Sequence, residues 1–190
     1  TWDVICQLEA GEVRTVMVTG DSMLTGVCIA RESGMIKAMQ SLILGSDFDS
    51  NGEVIWVDES DAEVDLPSID TIQTSNTELA VTGEVWQSLR EADPKMAMIL
   101  AEHIRVYGRC TPSDKVSVVS TFVELGDITL IGGDGGNDCG ALKTAHVGVA
   151  LSDAEASMVS PFTSLDKSLT SVVEVLKEGR CALASALASY

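Results

Sequence analysis

Short apolar runs alternate along this chain with stretches in which apolar residues recur at helical spacing. Apolar runs typical of buried strands occur at 13–18, 79–82, 128–131 and 147–151. The residues from Met23 to Arg31 have the spacing of a helix, and Gly34 is placed to end it. This alternation predicts an α/β fold, a doubly wound parallel sheet with helices on both faces.

One region departs from this alternation. Asn51-Gly52 lies between apolar runs at 41–44 and 54–57, and this dipeptide strongly favours a β-hairpin. The stretch at 58–70 that follows is acidic and contains Pro67, so we expect a solvated insertion there rather than a cation site. Hairpin and insertion together are expected to span about 41–78.

Composition narrows the class of protein. The chain has 190 residues, 45% of them hydrophobic, so it can bury a core and fits one domain with at most a sub-lobe. Its formal net charge of −17 argues against binding nucleic acids or anionic lipids through general electrostatics. Five scattered cysteines without a Cys-x-x-Cys pair favour a reducing compartment. No apolar run reaches the roughly 20 residues that cross a bilayer, and the start at Thr1 hints at a fragment.

The most prominent candidate for chemistry is the loop that follows the run at 128–131. It contains Asp134, Gly135, Asn137 and Asp138. Glycines allow a sharp turn, and carboxylates at the carboxyl end of a strand form a hard-oxygen site suited to Mg²⁺ shared with a phosphate. Taken alone, the loop is equally compatible with a tight turn followed by a capped helix.

Two further segments have features of phosphate-binding sites. Thr19-Gly20-Asp21 joins a predicted strand to a helix start, where a hydroxyl and free N–H groups suit an anion. Lys115 lies on the first turn of a helix that tolerates Pro112 at its start, and its ammonium can reach a phosphate. In isolation, the first is more often an ordinary turn and the second a surface lysine.

These three segments, in this order, strongly resemble the phosphorylation domain of P-type ATPases, a branch of the haloacid-dehalogenase fold. Longer strings that resemble the type V class lie at 15–25, 137–143, 161–164 and 178–183. The short link at 151–157 is similar to the B branch, whose members are linked to polyamine export from late endosomes, lysosomes or vacuoles. The resemblance covers nearly the whole chain.

The resemblance implies roles for the first two segments. Thr19 would hydrogen-bond the transferring phosphoryl oxygens, with the backbone of Gly20 beside it. Asp21 would tie this loop to the side of the protein that carries the nucleotide, ATP. Lys115 would neutralise charge on the phosphoryl group and on its acceptor. Such positioning and electrostatic stabilisation are the main requirements of phosphoryl transfer.

The resemblance also assigns the glycine-rich loop. Asp134 and Asp138 would be the metal-site residues for Mg²⁺, and Asn137 would help to hold the phosphate and the loop. Gly135 would belong to the loop on the phosphate and nucleotide side. The cofactor implied is Mg²⁺, with ATP as the substrate.

The nucleophile of the family, the Asp of an Asp-Lys-Thr-Gly-Thr string, is not in this chain. Asp166-Lys167-Ser168 is faintly similar, but it follows the metal loop and no buried strand precedes it, so we reject it. The resemblance therefore implies the second half of a phosphorylation domain, inactive in isolation. The missing strand would lie between the strands ending at Val18 and Ile131. The helix expected at about 168–190, interrupted or turned at Gly179, would lead toward a membrane segment.

The partners implied are the missing N-terminal half of the domain and the nucleotide-binding, actuator and membrane domains of a parent transporter. The parent would place this chain at the cytosolic face of an endolysosomal or vacuolar membrane, and the chain would meet the membrane only through the parent. The sequence leaves two alternatives open: a haloacid-dehalogenase-like phosphatase and a non-catalytic regulatory or binding domain. The transported cation is open too, because polyamine follows from the resemblance only.

Overall fold

Two β-sheets with flanking helices make up the computed structural model, which describes residues 1–151 and 155–190. The α/β class expected from the sequence is confirmed, and all but one of the strand pairs among these residues are parallel. The chain divides into a larger unit, Thr15–Asp127, and a smaller unit, Thr1–Arg14 with Ile128–Tyr190.

Strands and helices alternate along most of the chain. The strands are β1 Met17–Val18, β2 Ser41–Phe48, β3 Val54–Asp58, β4 Thr77–Thr82, β5 Ile104–Gly108, β6 Leu130–Gly133, β7 Val147–Ala150 and β8 Phe162–Thr163. The α-helices are α1 Trp2–Ala10, α2 Met23–Glu32, α3 Ile69–Ser75, α4 Gly83–Ala92, α5 Pro94–Ala101, α6 Pro112–Glu124, α7 Cys139–Thr144 and α8 Thr170–Ser189.

The larger unit is built on a five-stranded sheet with the order β1-β5-β4-β2-β3. Every residue of β4 is buried, as expected for a central strand covered on both faces. The core includes Trp86 of α4, whose ring meets that of Tyr107 of β5 edge to face at 5.3 Å. Because β1 pairs with β5, with Val18 opposite Tyr107, this core lies directly under the carboxyl ends of both strands.

The smaller unit is built on a three-stranded parallel sheet with the order β6-β7-β8. Leu142 of α7 is almost fully buried beside Ala150 of β7. Helix α1 buries Val4, Ile5 and Leu8, which have helical spacing and so form one apolar face. Each parallel strand delivers its following loop to the same edge of this sheet.

Several elements predicted from the sequence are confirmed. The hairpin forms from β2 and β3, and Gly52 adopts a φ of +83° in its turn. Helix α2 ends next to Gly34, which has a φ of +82°. Pro112 is the first residue of α6. Of the short link at 151–157, residues 152–154 lie outside the described residues, and Glu155–Met158 form a 3₁₀ turn.

Other predictions need correction. The strand expected at 13–18 is only Met17–Val18. The strand expected at 128–131 begins at Leu130 and continues through Gly133, while Ile128 is 82% exposed. An apolar run forms a strand only where a partner pairs with it, and here the pairing with β7 starts at Leu130.

The helices show further differences from expectation. Helix α8 runs without interruption through Gly179, because a glycine in an exposed helix interior costs only about 1 kcal/mol. The acidic segment contains an unpredicted helix, α3, capped by the Ser68 side chain and anchored by Ile72, which is 1% exposed. Ile104, after the end of α5, is the first residue of β5. Among the described residues, no helix has the length and apolarity to cross a membrane.

Candidate functional site

The turn after β1 is held to β5 by backbone hydrogen bonds. The N–H of Thr19 donates to the carbonyl of Tyr107 at 2.9 Å, and the N–H of Cys110 donates to the carbonyl of Thr19 at 2.9 Å. Within the turn, the Thr19 hydroxyl accepts a hydrogen bond from the N–H of Asp21 at 3.1 Å. The half-buried threonine therefore has a fixed backbone and an oriented hydroxyl.

A second contact joins this turn to the turn that follows β5. The N–H of Arg109 donates to the carbonyl of Asp21 at 2.6 Å. Gly108 lies against the start of α2, since a Cβ atom there would be 2.3 Å from the Cα of Met23. Only glycine allows so close an approach. Gly20 and Asp21 are both exposed at the top of this turn.

Helix α6 starts directly after these turns with a complete capping box. The Thr111 hydroxyl accepts from the N–H of Asp114 at 3.3 Å, and the Asp114 carboxylate accepts from the N–H of Thr111 at 2.8 Å. Lys115, half-buried, is the next residue of this first turn. The larger unit thus brings Thr19, Gly20, Asp21 and the start of α6 to the adjoining carboxyl ends of β1 and β5.

Two side chains at this edge have shifted pKa values. Burial raises the pKa of the Cys110 thiol to about 12, and the nearby Asp114 carboxylate adds to the shift while Lys115 opposes it. This thiol is therefore protonated and unreactive at neutral pH. Burial also acts to raise the pKa of Asp114, but hydrogen bonds from Gln87 and Thr111 outweigh it and lower that pKa. Asp114 is therefore a carboxylate at neutral pH.

Asp114 and Gln87 were missed at the sequence level. The signal for Asp114 was present, because Thr111 and Asp114 have the spacing of a capping box before an apolar run. No local signal marked Gln87, whose amide nitrogen donates to the Asp114 carboxylate at 2.8 Å from another helix.

In the smaller unit, the loop after β6 carries the predicted metal-site residues. Asp134 and Asn137 are exposed, and Gly135 and Asp138 are half-buried. The N–H of Asp138 donates to the carbonyl of Gly135 at 3.0 Å, closing a 3₁₀ turn before α7. Helix α7 begins at Cys139, and the Asp138 side chain makes no capping hydrogen bond to it. The capped helix that the sequence offered as the alternative for this loop therefore starts without a side-chain cap.

The donors of this loop fit a hard cation. Asp134, Asn137 and Asp138 offer carboxylate and amide oxygens, which are the ligands that Mg²⁺ prefers. The Asp138 carboxylate lies in a space that a side chain at position 133 would fill, since a Cβ atom on Gly133 would be 2.9 Å from the carboxylate oxygen. In the described parts of the chain, no group of three or more His, Cys, Asp or Glu side chains could hold a metal ion.

Asp166 has the surroundings that led to its rejection as a nucleophile. It is exposed and lies between β8 and α8. The two residues of β8 are themselves exposed, so no buried strand leads directly to it in the described part of the chain. Its carbonyl accepts a hydrogen bond from the Ser164 hydroxyl at 3.1 Å.

Comparison with known proteins finds homologues over nearly the whole chain, although no family model matches. The chain is 33% identical over 204 residues to the cation-transporting ATPase catp-5 of Caenorhabditis elegans, covering 99% of this chain and 17% of that protein. It is 37% identical over 194 residues to the polyamine-transporting ATPase 13A2 of Mus musculus, covering 96% of this chain and 16% of that protein.

A third relative is the vacuolar cation-transporting ATPase YPK9 of Saccharomyces cerevisiae, 32% identical over 209 residues, or 100% of this chain and 14% of that protein. The chain therefore spans only about a sixth of the length of the curated relatives it matches. Its similarity lies within one segment of much longer ATPases.

Proposed function

We propose that this chain, whose homologues over its whole length are cation- and polyamine-transporting ATPases, is the second half of the phosphorylation domain of a type V, B-branch P-type ATPase. In this role it handles phosphoryl groups for an ATP-driven cation transporter. The parent forms and hydrolyses an aspartyl-phosphate on a nucleophile outside this chain, and the isolated chain is inactive.

The observation that carries the proposal is the arrangement at the ends of β1 and β5. The turn of Thr19 and the turn before α6 are tied by the hydrogen bonds from Cys110 and Arg109. A hydroxyl and a helix start that bears Lys115 therefore share one polar edge above a packed core. Ligands of open α/β sheets bind at such strand ends, and helix starts favour anions.

In this proposal each residue acts on charge and position. The Thr19 hydroxyl donates a hydrogen bond to a phosphoryl oxygen, and the exposed backbone of Gly20 lets the phosphate approach. Lys115 neutralises the negative charge on the phosphoryl group as it transfers. Because the Thr19 backbone is fixed at both ends, little reorganisation is needed when charge develops.

In the same proposal, Asp134 and Asp138 would bind Mg²⁺ and Asn137 would bind the phosphate, with Gly135 shaping the loop. Mg²⁺ held there would neutralise negative charge on the phosphate. The support is the oxygen-only donor set and the space that Gly133 leaves for the Asp138 carboxylate. The hydrogen bond of the 3₁₀ turn holds the backbone of Asp138 in place.

The proposed partner segment is the missing N-terminal half of the domain. Among the described strands, β1 is the outermost strand of the five-stranded sheet, and β6 is an outermost strand of the three-stranded sheet. An outermost strand presents unpaired N–H and C=O groups to which a further strand can bind. We propose that the strand that carries the nucleophile pairs with such an edge.

The transported cation and the membrane are further parts of the proposal. Two of the three relatives are named as cation-transporting and one as polyamine-transporting, and we propose a polyamine as the cation. One relative is named as vacuolar, and we propose the cytosolic face of an endolysosomal or vacuolar membrane. The nucleotide-binding, actuator and membrane domains of the parent complete the transporter.

The test is phosphorylation with ATP labelled on the γ-phosphate in the presence of Mg²⁺. This chain is incubated alone and together with the segment that carries the Asp-Lys-Thr-Gly-Thr string. We expect label only in the mixture, on the added segment, and sensitive to hydroxylamine as an acyl phosphate is. Thr19→Ala, Lys115→Ala and Asp134→Ala should each lower that label.

Two outcomes would overturn the proposal. A hydroxylamine-sensitive label on this chain alone would direct attention back to Asp166. No label in the mixture, although the two segments bind each other, would favour a non-catalytic binding domain.

A further inference from the structure

The carboxylate of Asp114 is held at both oxygens. One oxygen accepts from the N–H of Thr111 at 2.8 Å, and the other accepts from the side-chain amide of Gln87 at 2.8 Å. Asp114 is only 6% exposed. A buried carboxylate satisfied on both sides is fixed in position, so Gln87 ties the first turn of α6 to α4.

The same face of α4 is shaped for this contact. Gly83 lies one turn before Gln87, and a Cβ atom there would be 2.6 Å from the Asp114 carboxylate oxygen. Any larger residue at position 83 would push the carboxylate away. The glycine at the start of α4 thus makes room for the carboxylate that Gln87 binds.

A second polar contact continues along the two helices. The Ser117 hydroxyl lies within 3.1 Å of the Trp86 ring nitrogen and within 2.6 Å of an Arg90 guanidinium nitrogen, and both donate to it. Trp86 is fully buried and packs on Tyr107. Helix α4 is therefore anchored in the core and orients α6 by two adjacent contacts.

We propose that Gln87 is a positioning residue for Lys115. Lys115 follows Asp114 directly, so a shift of the Asp114 carboxylate moves the first turn of α6 and the lysine with it. The hydrogen bond of Gln87 goes to Asp114 rather than to a proposed phosphate or metal residue, so Gln87 acts through Asp114. Its hydrogen bond also holds the Asp114 carboxylate between α4 and the N–H of Thr111.

The inference rests on the proposed function, so its test uses the full-length transporter that carries this segment. Rapid-quench labelling separates two quantities: the rate constant of phosphorylation per active site and the amplitude, which counts active sites. A merely structural loss lowers the amplitude, whereas a misplaced lysine lowers the rate constant. Gln87→Met keeps the side-chain volume but removes the donor, and the rate constant should fall about tenfold with the amplitude retained.

Three further variants sharpen the test. Gln87→Lys restores a donor toward the carboxylate and should recover most of the rate constant. Asp114→Ala should lower the rate constant on its own, and adding Gln87→Met to it should lower it no further, because the two residues act in series. Glu91→Ala, at an exposed position of the same helix, should leave the rate constant unchanged.

The outcomes separate the inference from the function on which it rests. If the native transporter forms no hydroxylamine-sensitive phosphoenzyme, or Lys115→Ala forms it at the native rate, the proposed function fails. If both behave as expected but Gln87→Met keeps the native rate constant, or loses only amplitude, the positioning role is wrong. If Gln87→Met does not fold, Asp114→Ala is compared with the double variant that also carries Gln87→Ala. A lower rate constant in the double variant would equally contradict the inference.

Discussion

The polar edge of the larger unit and the loop of the smaller unit are built in different ways. At the ends of β1 and β5, backbone hydrogen bonds of 2.9 and 2.6 Å tie two turns together, and a capping box closes the helix that follows. After β6, a backbone bond from the N–H of Leu151 to the carbonyl of Gly133 at 2.8 Å extends the sheet to the base of the loop. Asp134 and Asn137 are left exposed.

This difference suits the two proposed tasks. A phosphoryl group is stabilised best by donors that are already in place, because their reorganisation would add to the barrier. A cation can draw exposed carboxylates together, because its bonds to their oxygens fix the side chains in place. The larger unit thus depends on the hydrogen bonds and packing of its two turns, and the smaller unit depends on the space that Gly133 leaves for Asp138.

The largest expected effect comes from filling the closest approach in the larger unit. Gly108→Ala would place a Cβ atom 2.3 Å from the Cα of Met23, and backbone must move to relieve the clash. We expect a loss of about 3 kcal/mol in the free energy of unfolding. Urea unfolding followed by tryptophan fluorescence measures it, since Trp56 and Trp86 are buried in this unit.

The matched control is Gly52→Ala in the hairpin turn. A Cβ atom at position 52 meets nothing within 4 Å, but the residue has a φ of +83°. Its loss should be about 1 kcal/mol from backbone strain alone. If Gly108→Ala costs no more than this control, the two turns do not depend on the close approach of Gly108 to Met23.

The next effect tests the smaller unit at Gly133. A Cβ atom there would be 2.6 Å from the Cβ atom of Asp138, so the aspartate must shift. We expect Gly133→Ala to cost about 2 kcal/mol, seen as faster hydrogen exchange at the amide of Leu151, whose partner is the carbonyl of Gly133.

Gly132→Ala is the control within the same strand. Its nearest neighbour is 3.7 Å away, which is ordinary contact, so the exchange rate at Leu151 should stay near that of the native chain. Equal effects of the two alanines would mean that the strand, rather than the space for Asp138, determines the loss.

Local chemistry predicted much of the fold. Asn51-Gly52 predicted the hairpin, Gly34 the end of α2 and Pro112 the start of α6, because each depends on the conformation of a few neighbouring residues. The length of β1 and the continuity of α8 depend instead on pairing and packing with distant segments. The pattern of apolar residues contains no information on where a partner strand ends.

The same division holds for the candidate site. Thr19 and Lys115 stand out in short strings, and the structure brings the segments that carry them to adjoining strand ends. The contact of Gln87 with Asp114 joins residues 27 positions apart. Such a contact becomes visible only when α4 and α6 are packed, so no string of neighbouring residues could have indicated it.

A smaller effect concerns the charge that holds the start of α6. The pKa of Asp114 in the folded chain lies below its ordinary value of 3.8. Its ionised form therefore stabilises the folded state above that value, and the contribution is lost as the pH falls through the lowered folded-state pKa. Asp114→Asn should cost about 1 kcal/mol at neutral pH.

The measurement is urea unfolding of both chains between pH 7 and pH 2. The difference between native and Asp114→Asn should shrink as the pH falls below the ordinary carboxyl range. The matched control is Asp127→Asn at an exposed position of the same unit, which should show no such convergence. A difference that stays constant with pH would mean that the carboxylate charge does not matter to the cap.

The smallest effect tests the smaller unit away from its loop, at Gly179 of α8. This glycine has an exposed helical environment, and an added Cβ atom would meet nothing within 4 Å. Gly179→Ala should raise the free energy of unfolding by about 0.5 to 1 kcal/mol, because alanine loses less backbone entropy on entering a helix. Helical circular dichroism during urea unfolding measures the change. Within the same unit, Gly179→Ala should therefore raise the free energy of unfolding, whereas Gly133→Ala should lower it. If Gly179→Ala destabilises the chain as Gly133→Ala does, α8 bends at that residue after all, as its sequence first suggested.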